Sequence, residues 1–265
     1  MITSNNFPIG IFDSGVGGTS IWKEITLLLP NEDTIYLSDS CNAPYGEKSK
    51  DEIINLSIKN TEFLLNKNAK LIVVACNTAT TNAIKVLREK YDVPFIGIEP
   101  AIKPAALQTK TNTIGILATK GTLNSELFEK TSSSLNQKIL KKEIIGKGLV
   151  ELIENGKLYS KEMTELLSSY IIPLLNQNVD CLVLGCTHYP YLIPQIRKIV
   201  GDKIQIIDSG EAVARQTKSI LEKHQLVKVV KTTSNHQFFI NKNKDVLEYL
   251  ISKNNKNIVI KELRF

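Results

Sequence analysis

The chain has 265 residues, 42% hydrophobic and 23% charged, which is enough apolar material for a sizeable core in one large or two smaller domains. No stretch approaches the ~18 consecutive apolar residues of a membrane span, and Met1 to Pro8 contains no basic segment leading into an apolar one, so a cytoplasmic protein without a membrane partner is expected. The net charge is +6, but only Arg88, Arg197, Arg215 and Arg264 are arginines and no basic run is interleaved with aromatics, which argues against nucleic acid as a partner; the four cysteines are too sparse for a disulfide scaffold.

In chain order, Ile9-Gly10-Ile11-Phe12 predicts a strand running into the turn Asp13-Ser14-Gly15-Val16-Gly17-Gly18, whose glycines allow close backbone approach. The spacing of Ile21, Ile25 and Leu28 predicts a helix from Thr19 to Leu29 that stops before Pro30. Thr34 to Ser38 predicts a second strand ending at Asp39, and Asp51 to Asn66 an amphipathic helix. Leu71 to Ala75 is an unbroken run rich in Val and Ile, the pattern of a buried parallel strand. It delivers Cys76 to the carboxyl edge of a sheet, where open α/β sheets bind ligands. Asn77 and Thr78 read as N-caps of a helix extending to Lys90, which would leave backbone N–H groups free for an anion. Taken alone, Cys76 reads first as a small core residue, the usual place of an intracellular cysteine. Pro94 to Ile98 predicts a fourth strand, ending at Glu99.

The plan then repeats. Ile114-Gly115-Ile116-Leu117, in a strand from Thr113 to Ala118, echoes Ile9-Gly10-Ile11-Phe12 at 105 residues' distance and also runs into a polar turn. Cys181 to Gly185 carries an apolar strand into Cys186-Thr187-His188, with Cys186 lying 110 residues beyond Cys76. Ile204 to Ile207 ends at Asp208, 109 residues beyond Glu99. Three matches in the same order at nearly one offset imply a duplicated α/β unit, and alternating strands and helices imply parallel sheets. The expected fold is two duplicated parallel-sheet α/β domains related by a pseudo-twofold axis, with the active site in the cleft between them. One domain would comprise residues 1–98 with 209–265, the other 99–208. A helix from Ser209 to Lys223 leads out of the second unit. The Lys/Asn-rich end, with strand-like pieces at Val227 to Val230, Phe238 to Ile240 and Ile258 to Ile260 and a helix near Asp245 to Ile251, would return to the first unit. The lysines of Lys138 to Lys147 and Lys218 to Lys261 read as solvated surface.

Two thiols at matching strand ends suit a reaction that removes a proton from one face of a carbon and delivers one to the other. Each needs a neighbour that handles its proton, because a free thiol has a pKa near ~8.5. Asp13, at the end of a strand adjoining that of Cys76, and His188, two residues past Cys186, are the candidates. Either could instead be structural, Asp13 as a helix cap and His188 as a buried hydrogen-bonded ring. Cys41 and Cys181 read as structural.

The segments Asp13 to Gly18, Asp39 to Gly46 with Pro44-Tyr45-Gly46, Ala75-Cys76-Asn77-Thr78-Ala79, Ala118-Thr119 with Gly121-Thr122, and Gly185-Cys186-Thr187-His188-Tyr189-Pro190 together resemble the glutamate racemases of the aspartate/glutamate racemase superfamily. The resemblance spans Ile9 to Asp208. It implies interconversion of L- and D-glutamate without pyridoxal phosphate or a metal, supplying D-glutamate for peptidoglycan, by a protein that is a homodimer. Carried over by position, Cys76 would abstract the α-proton of D-glutamate with help from Asp13. Cys186 would abstract that of L-glutamate with help from His188, Asp39 and Glu154, Glu151 competing with Glu154 for the last role. Asp13, Ser14, Pro44, Tyr45, Gly46, Asn77, Thr78, Thr119, Thr122, Thr187 and His188 would hold the substrate. Some members are activated by a peptidoglycan precursor through an N-terminal extension; twelve residues precede Asp13, and that control is expected to be absent.

Two other readings use the same residues. Gly15 to Gly18 followed by Asp39 resembles a dinucleotide-binding fingerprint, but Ser20 replaces the third glycine and Asp13 would set a carboxylate against the pyrophosphate. Cys76, Cys186 and His188 could be metal ligands, but the tight paired spacing of common zinc sites is missing.

Overall fold

The computed structural model describes residues 4–229, 233–251 and 257–265. The first part of the chain runs β1 (Ile9–Asp13), α1 (Thr19–Leu28), β2 (Thr34–Ser38), α2 (Lys50–Leu65), β3 (Leu71–Val74), α3 (Asn77–Lys90) and β4 (Phe95–Gly97). After α4 (Ile102–Gln108) the second part follows: β5 (Thr113–Ala118), α5 (Lys120–Leu123), α6 (Glu126–Ser133), β6 (Leu140–Ile145), α7 (Leu149–Glu154), α8 (Lys161–Leu175), β7 (Cys181–Gly185), α9 (Ile193–Val200) and β8 (Gln205–Ile207). The chain ends with α10 (Gly210–Lys223), β9 (His236–Ile240), α11 (Lys244–Ile251) and β10 (Ile258–Glu262). Among the described residues no helix is long and apolar enough to cross a membrane.

The strands form two sheets, ordered β10-β9-β2-β1-β3-β4 and β6-β5-β7-β8, with every pairing parallel. The order β2-β1-β3-β4 recurs as β6-β5-β7-β8, so the duplicated parallel-sheet α/β fold is the fold observed. The reading in chain order passes over β6, which stands to β5 as β2 stands to β1. Leu140-Lys141-Lys142-Glu143 has none of the continuous hydrophobicity of β1 or β3, because β6 is an edge strand with residues alternating between exposed and half-buried.

Helix limits agree with the predicted ones to within a residue for α1, α2 and α10, and α2 is set by a complete capping box of Ser49 and Glu52. One face of each sheet contributes to a common core, in which Ile11, Tyr36 and Phe238 of the first sheet are continuous with Leu182, Tyr189 and Leu152 of the second unit. The opposite faces have cores of their own, around Phe12, Ile72 and Val74 and around Ile114, Ile116 and Val183.

The C-terminal part adds to the first sheet, with β9 pairing against β2 from Thr34↔His236 to Ser38↔Ile240. Phe238 packs edge-on to Trp22 at 4.9 Å and lies 5.4 Å from Tyr36, while Trp22 Nε1 donates to Thr34 Oγ1, which bonds His236 Nδ1. Val227 to Val229 lie outside any strand, and Val230 lies outside the described residues. Phe238→Ala is expected to destabilise the protein by about 3–5 kcal/mol, the range for truncating a fully buried aromatic, as measured by urea unfolding.

Candidate active site

Parallel register brings the chemistry together. β1 and β3 are paired up to Phe12↔Val74, which sets Asp13, at the end of β1, beside the segment carrying Cys76. In the second sheet Ala118↔Gly185 ends the pairing of β5 and β7, and the next residues are Thr119 and Cys186. Both cysteines, with Ser14, Pro44, Tyr45, Gly46, Asn77, Thr78, Thr119, Thr187 and His188, line one cavity of about 10 Å³. That is room for about one water; an amino-acid-sized ligand requires the units to part or side chains to move. A larger groove of about 1050 Å³ lies outside it among Lys85, Arg88, Lys120 and Glu126, and neither Cys76 nor Cys186 lines it.

The N-cap of α3 differs from expectation: it is Cys76, not Asn77 or Thr78. The backbone is still extended at Cys76 and helical from Asn77, so the thiol itself takes the capping position and its Sγ accepts from the Ala79 N–H at 3.4 Å. The same Sγ donates to Ser14 Oγ at 3.5 Å, and Ser14 Oγ donates to Asp13 Oδ1 at 3.5 Å. Asp13 Oδ2 accepts from the Gly18 N–H at 2.6 Å and from Thr187 Oγ1 at 3.3 Å. Asp13 therefore fastens the turn before α1, as a capping residue would, and also ends the chain of groups leading from Cys76. Burial raises the Asp13 pKa to about 6, the charge of Glu154 adding to the effect and the His188 charge and Gly18 N–H opposing it. Burial, and then the Asp13 charge, push the Cys76 thiol well up, so it holds its proton at neutral pH.

Cys186 has a different partner. Its Sγ lies 3.7 Å from His188 Nδ1, and His188 Nε2 lies 2.5 Å from Glu154 Oε1. Burial opposes charge on the ring, but its bonds to Cys186 and Glu154 outweigh that and hold His188 well above the ordinary histidine range. The Gly17 N–H also points at Nε2, at 3.2 Å, and competes for the same site; with the ring cationic, Nε2 carries a proton and the bond made is the one to Glu154. Glu154 Oε1 further accepts from the Val16 N–H at 2.6 Å, and Oε2 from Ser40 Oγ at 2.7 Å. Of the two competing glutamates, Glu154 is the buried one that reaches this pair; Glu151 is half-buried on the rim with Pro44 and Lys147.

The glycines of the turn take their meaning from these contacts. A Cβ on Gly15 would overlap Glu154 Oε1, and one on Gly17 would overlap the His188 ring. The close approach they allow is to two side chains of the second unit, Glu154 and His188.

Asp39 is placed differently from expectation. Its carboxylate accepts from Asn42 Nδ2, Asn241 Nδ2 and the Tyr45 hydroxyl, and among the described residues no hydrogen bond joins it to Cys186 or His188. The Tyr45 hydroxyl is bonded to Asp39 at 2.6 Å and to Asn60 at 3.0 Å, which fixes the ring that lines the cavity. Thr78, Thr119 and Thr122 join hydroxyls across the two units at 2.8–3.2 Å. Both polar atoms of the Asn77 side chain are buried without a partner among the described residues, and buried amides ordinarily have one, so this side chain is available to a ligand. Cys41 is exposed in a short turn, and Cys181 is buried within β7. Among the described residues no group of three or more His, Cys, Asp or Glu side chains is arranged to hold a metal ion. Sequence reasoning missed the roles of Ser40 and the Val16 N–H, although both lie within the resemblance segments, because each meets Glu154 across 114 or 138 residues of chain.

The raised pKa of Asp13 fixes a sign. The folded protein binds the proton more tightly than the unfolded chain, so the stability due to this group is fully present below about pH 4 and is lost as pH rises through about 6. Asp13→Asn removes the titration. The stability of the wild type relative to this variant is expected to fall by about 3 kcal/mol between pH 3.5 and 7, read from urea unfolding of both proteins.

Comparison with known proteins agrees with this geometry. Residues 22–217 match the model of the Asp/Glu/hydantoin racemase family. A glutamate racemase of Ralstonia pickettii is 48% identical over 217 residues, 81% of this chain and 76% of the relative. The solved glutamate racemase of Bacillus anthracis superposes with a TM-score of 0.86 at 31% identity over 98% of both chains. That of Escherichia coli, in complex with L-glutamate and an activator, has a TM-score of 0.84 at 32% identity over 97% of this chain and 98% of its own. With a duplicated parallel-sheet scaffold, two facing strand-end thiols and these relatives, the chain belongs to the Asp/Glu/hydantoin racemase family.

Proposed function

We propose that this chain interconverts L- and D-glutamate by moving a proton between two cysteines, without pyridoxal phosphate or a metal. We further propose that it acts in the cytoplasm as a homodimer and supplies D-glutamate for peptidoglycan. The observation that carries the reading is that Cys76 and Cys186 face one cavity from equivalent strand ends, each with its own chain of proton-handling groups. The choice of glutamate follows the relatives, among them the Francisella tularensis enzyme solved with D-glutamate at 28% identity and a TM-score of 0.84.

In this mechanism Cys186, as thiolate, removes the α-proton of L-glutamate while Cys76, as thiol, delivers one to the opposite face. The reverse direction exchanges the roles. His188 offsets the charge at Cys186 and is oriented by Glu154; Ser14 links Cys76 to Asp13. Asp39 contributes indirectly, by holding Tyr45. Loss of the α-proton leaves negative charge on the substrate, and preorganised donors stabilise it. Asn77, Thr78, Thr119, Thr122 and Thr187, with the backbone at Pro44, Tyr45 and Gly46, supply the hydroxyl, amide and backbone groups that would hold carboxylates and amine.

In deuterated water, metal-free and cofactor-free protein is expected to convert L-glutamate to D-glutamate carrying deuterium at the α-carbon, seen by chiral chromatography with mass detection; folded protein that yields none contradicts the reading. Cys76→Ala and Cys186→Ala are each expected to lower racemisation by roughly a thousandfold, within the range for losing a positioned acid or base; normal turnover in either variant excludes the two-thiol mechanism. Gly17→Ala should push the imidazole away from Cys186 and lower kcat by about a hundredfold with the circular dichroism spectrum unchanged.

A further inference from the structure

The two thiols are served asymmetrically, and the groups serving Cys186 come from both units. Glu154 lies at the end of α7 in the second unit, yet apart from His188 its carboxylate partners are in the first: the Val16 N–H on Oε1 and the Ser40 hydroxyl on Oε2. Among the described residues Ser40 is the one donor that reaches Oε2. One first-unit donor on each oxygen, the Val16 N–H on Oε1 and the Ser40 hydroxyl on Oε2, fixes the plane of the carboxylate, and with it the direction in which the His188 ring is held.

We propose that Ser40 is a positioning residue for proton transfer at Cys186: from across the cleft it holds Glu154 in the orientation and charge state that keep His188 aligned with the thiol. The proposal rests on the racemase reading above. Without the hydroxyl, Oε2 is a buried carboxylate oxygen with no donor, and such a group gains affinity for a proton. The proton within reach is the one on His188 Nε2, 2.5 Å from Oε1. Its transfer to Glu154 leaves a neutral ring beside Cys186 and slows exchange at that thiol. The Cys76 chain runs through Ser14 and Asp13 and contains no bond to Ser40, so its step is spared.

The test must respect a thermodynamic constraint. Enantiomers have equal free energy, so kcat/KM for L- and D-glutamate stays equal in every variant, and loss of one direction alone cannot occur. Isotope effects do separate the faces. In Ser40→Ala, kcat/KM is expected to fall about tenfold in both directions, as for loss of one hydrogen bond to a charged group. The deuterium effect on kcat/KM is expected to rise with α-deuterated L-glutamate, whose first step at Cys186 becomes limiting, and to fall with α-deuterated D-glutamate, whose first step becomes a fast pre-equilibrium. Ser38→Ala is the control: Ser38 Oγ bonds Ser40 Oγ at 3.1 Å but does not reach Glu154, so this variant should stay close to wild type. Ser40→Thr, which keeps the hydroxyl, should restore activity and both isotope effects. Equal isotope changes for the two enantiomers, a loss in Ser38→Ala matching that in Ser40→Ala, or unaltered kinetics in Ser40→Ala would each overturn the role of Ser40 while leaving the racemase reading intact. Wild-type protein that neither racemises glutamate nor incorporates deuterium would overturn both.

Discussion

The pairing of Glu154 with His188 against the bare backbone of the Gly15–Gly17 turn is the constraint on which the rest of the site depends. Both side chains are buried, and buried charge is tolerated only where it is paired and hydrogen-bonded. The second unit supplies the pair, while the first supplies the Val16 N–H, the Ser40 hydroxyl and two positions with no side chain. Such a contact survives only if the two units hold a fixed mutual position. The common core between the sheets provides that, since residues of the first sheet and of α7 to α9 pack in one continuous cluster.

Duplication explains the scaffold but not the chemistry at each thiol. The strand order β2-β1-β3-β4 recurs as β6-β5-β7-β8, and the cysteines occupy equivalent ends of β3 and β7. Around those ends the units differ. Two residues past Cys76 is Thr78, which bonds other threonines; two residues past Cys186 is His188, which bonds a carboxylate. Cys76 caps a helix and leads through a serine to an aspartate, whereas Cys186 meets an imidazole directly. The charges differ as well: burial and the Asp13 charge push the Cys76 thiol well up, while bonds to Cys186 and Glu154 hold His188 well above the ordinary histidine range.

Much of this was legible beforehand where the signal was local. The continuous apolar runs of β1, β3, β5 and β7 announce buried parallel strands, and the order-preserving repeat announces the second unit and pairs Cys76 with Cys186. An edge strand such as β6, with one face in solvent, carries too little of that pattern to be seen. Asp39 was drawn toward Cys186 by its place in a motif, yet a motif does not say which way a carboxylate turns, and three closer donors claim it.

By itself, then, the sequence determined the strand ends, the two thiols and the family they resemble, because hydrophobic period and turn chemistry act over a few residues. Only the tertiary structure decided between Glu154 and Glu151, brought in Ser40 and the Val16 N–H, and turned the glycine run from a possible phosphate cradle into a seat for Glu154 and His188. Those outcomes depend on how one unit lies against the other. A hydrogen bond between residues more than a hundred positions apart is made or lost with shifts of an ångström or less, and no local pattern encodes a distance of that kind.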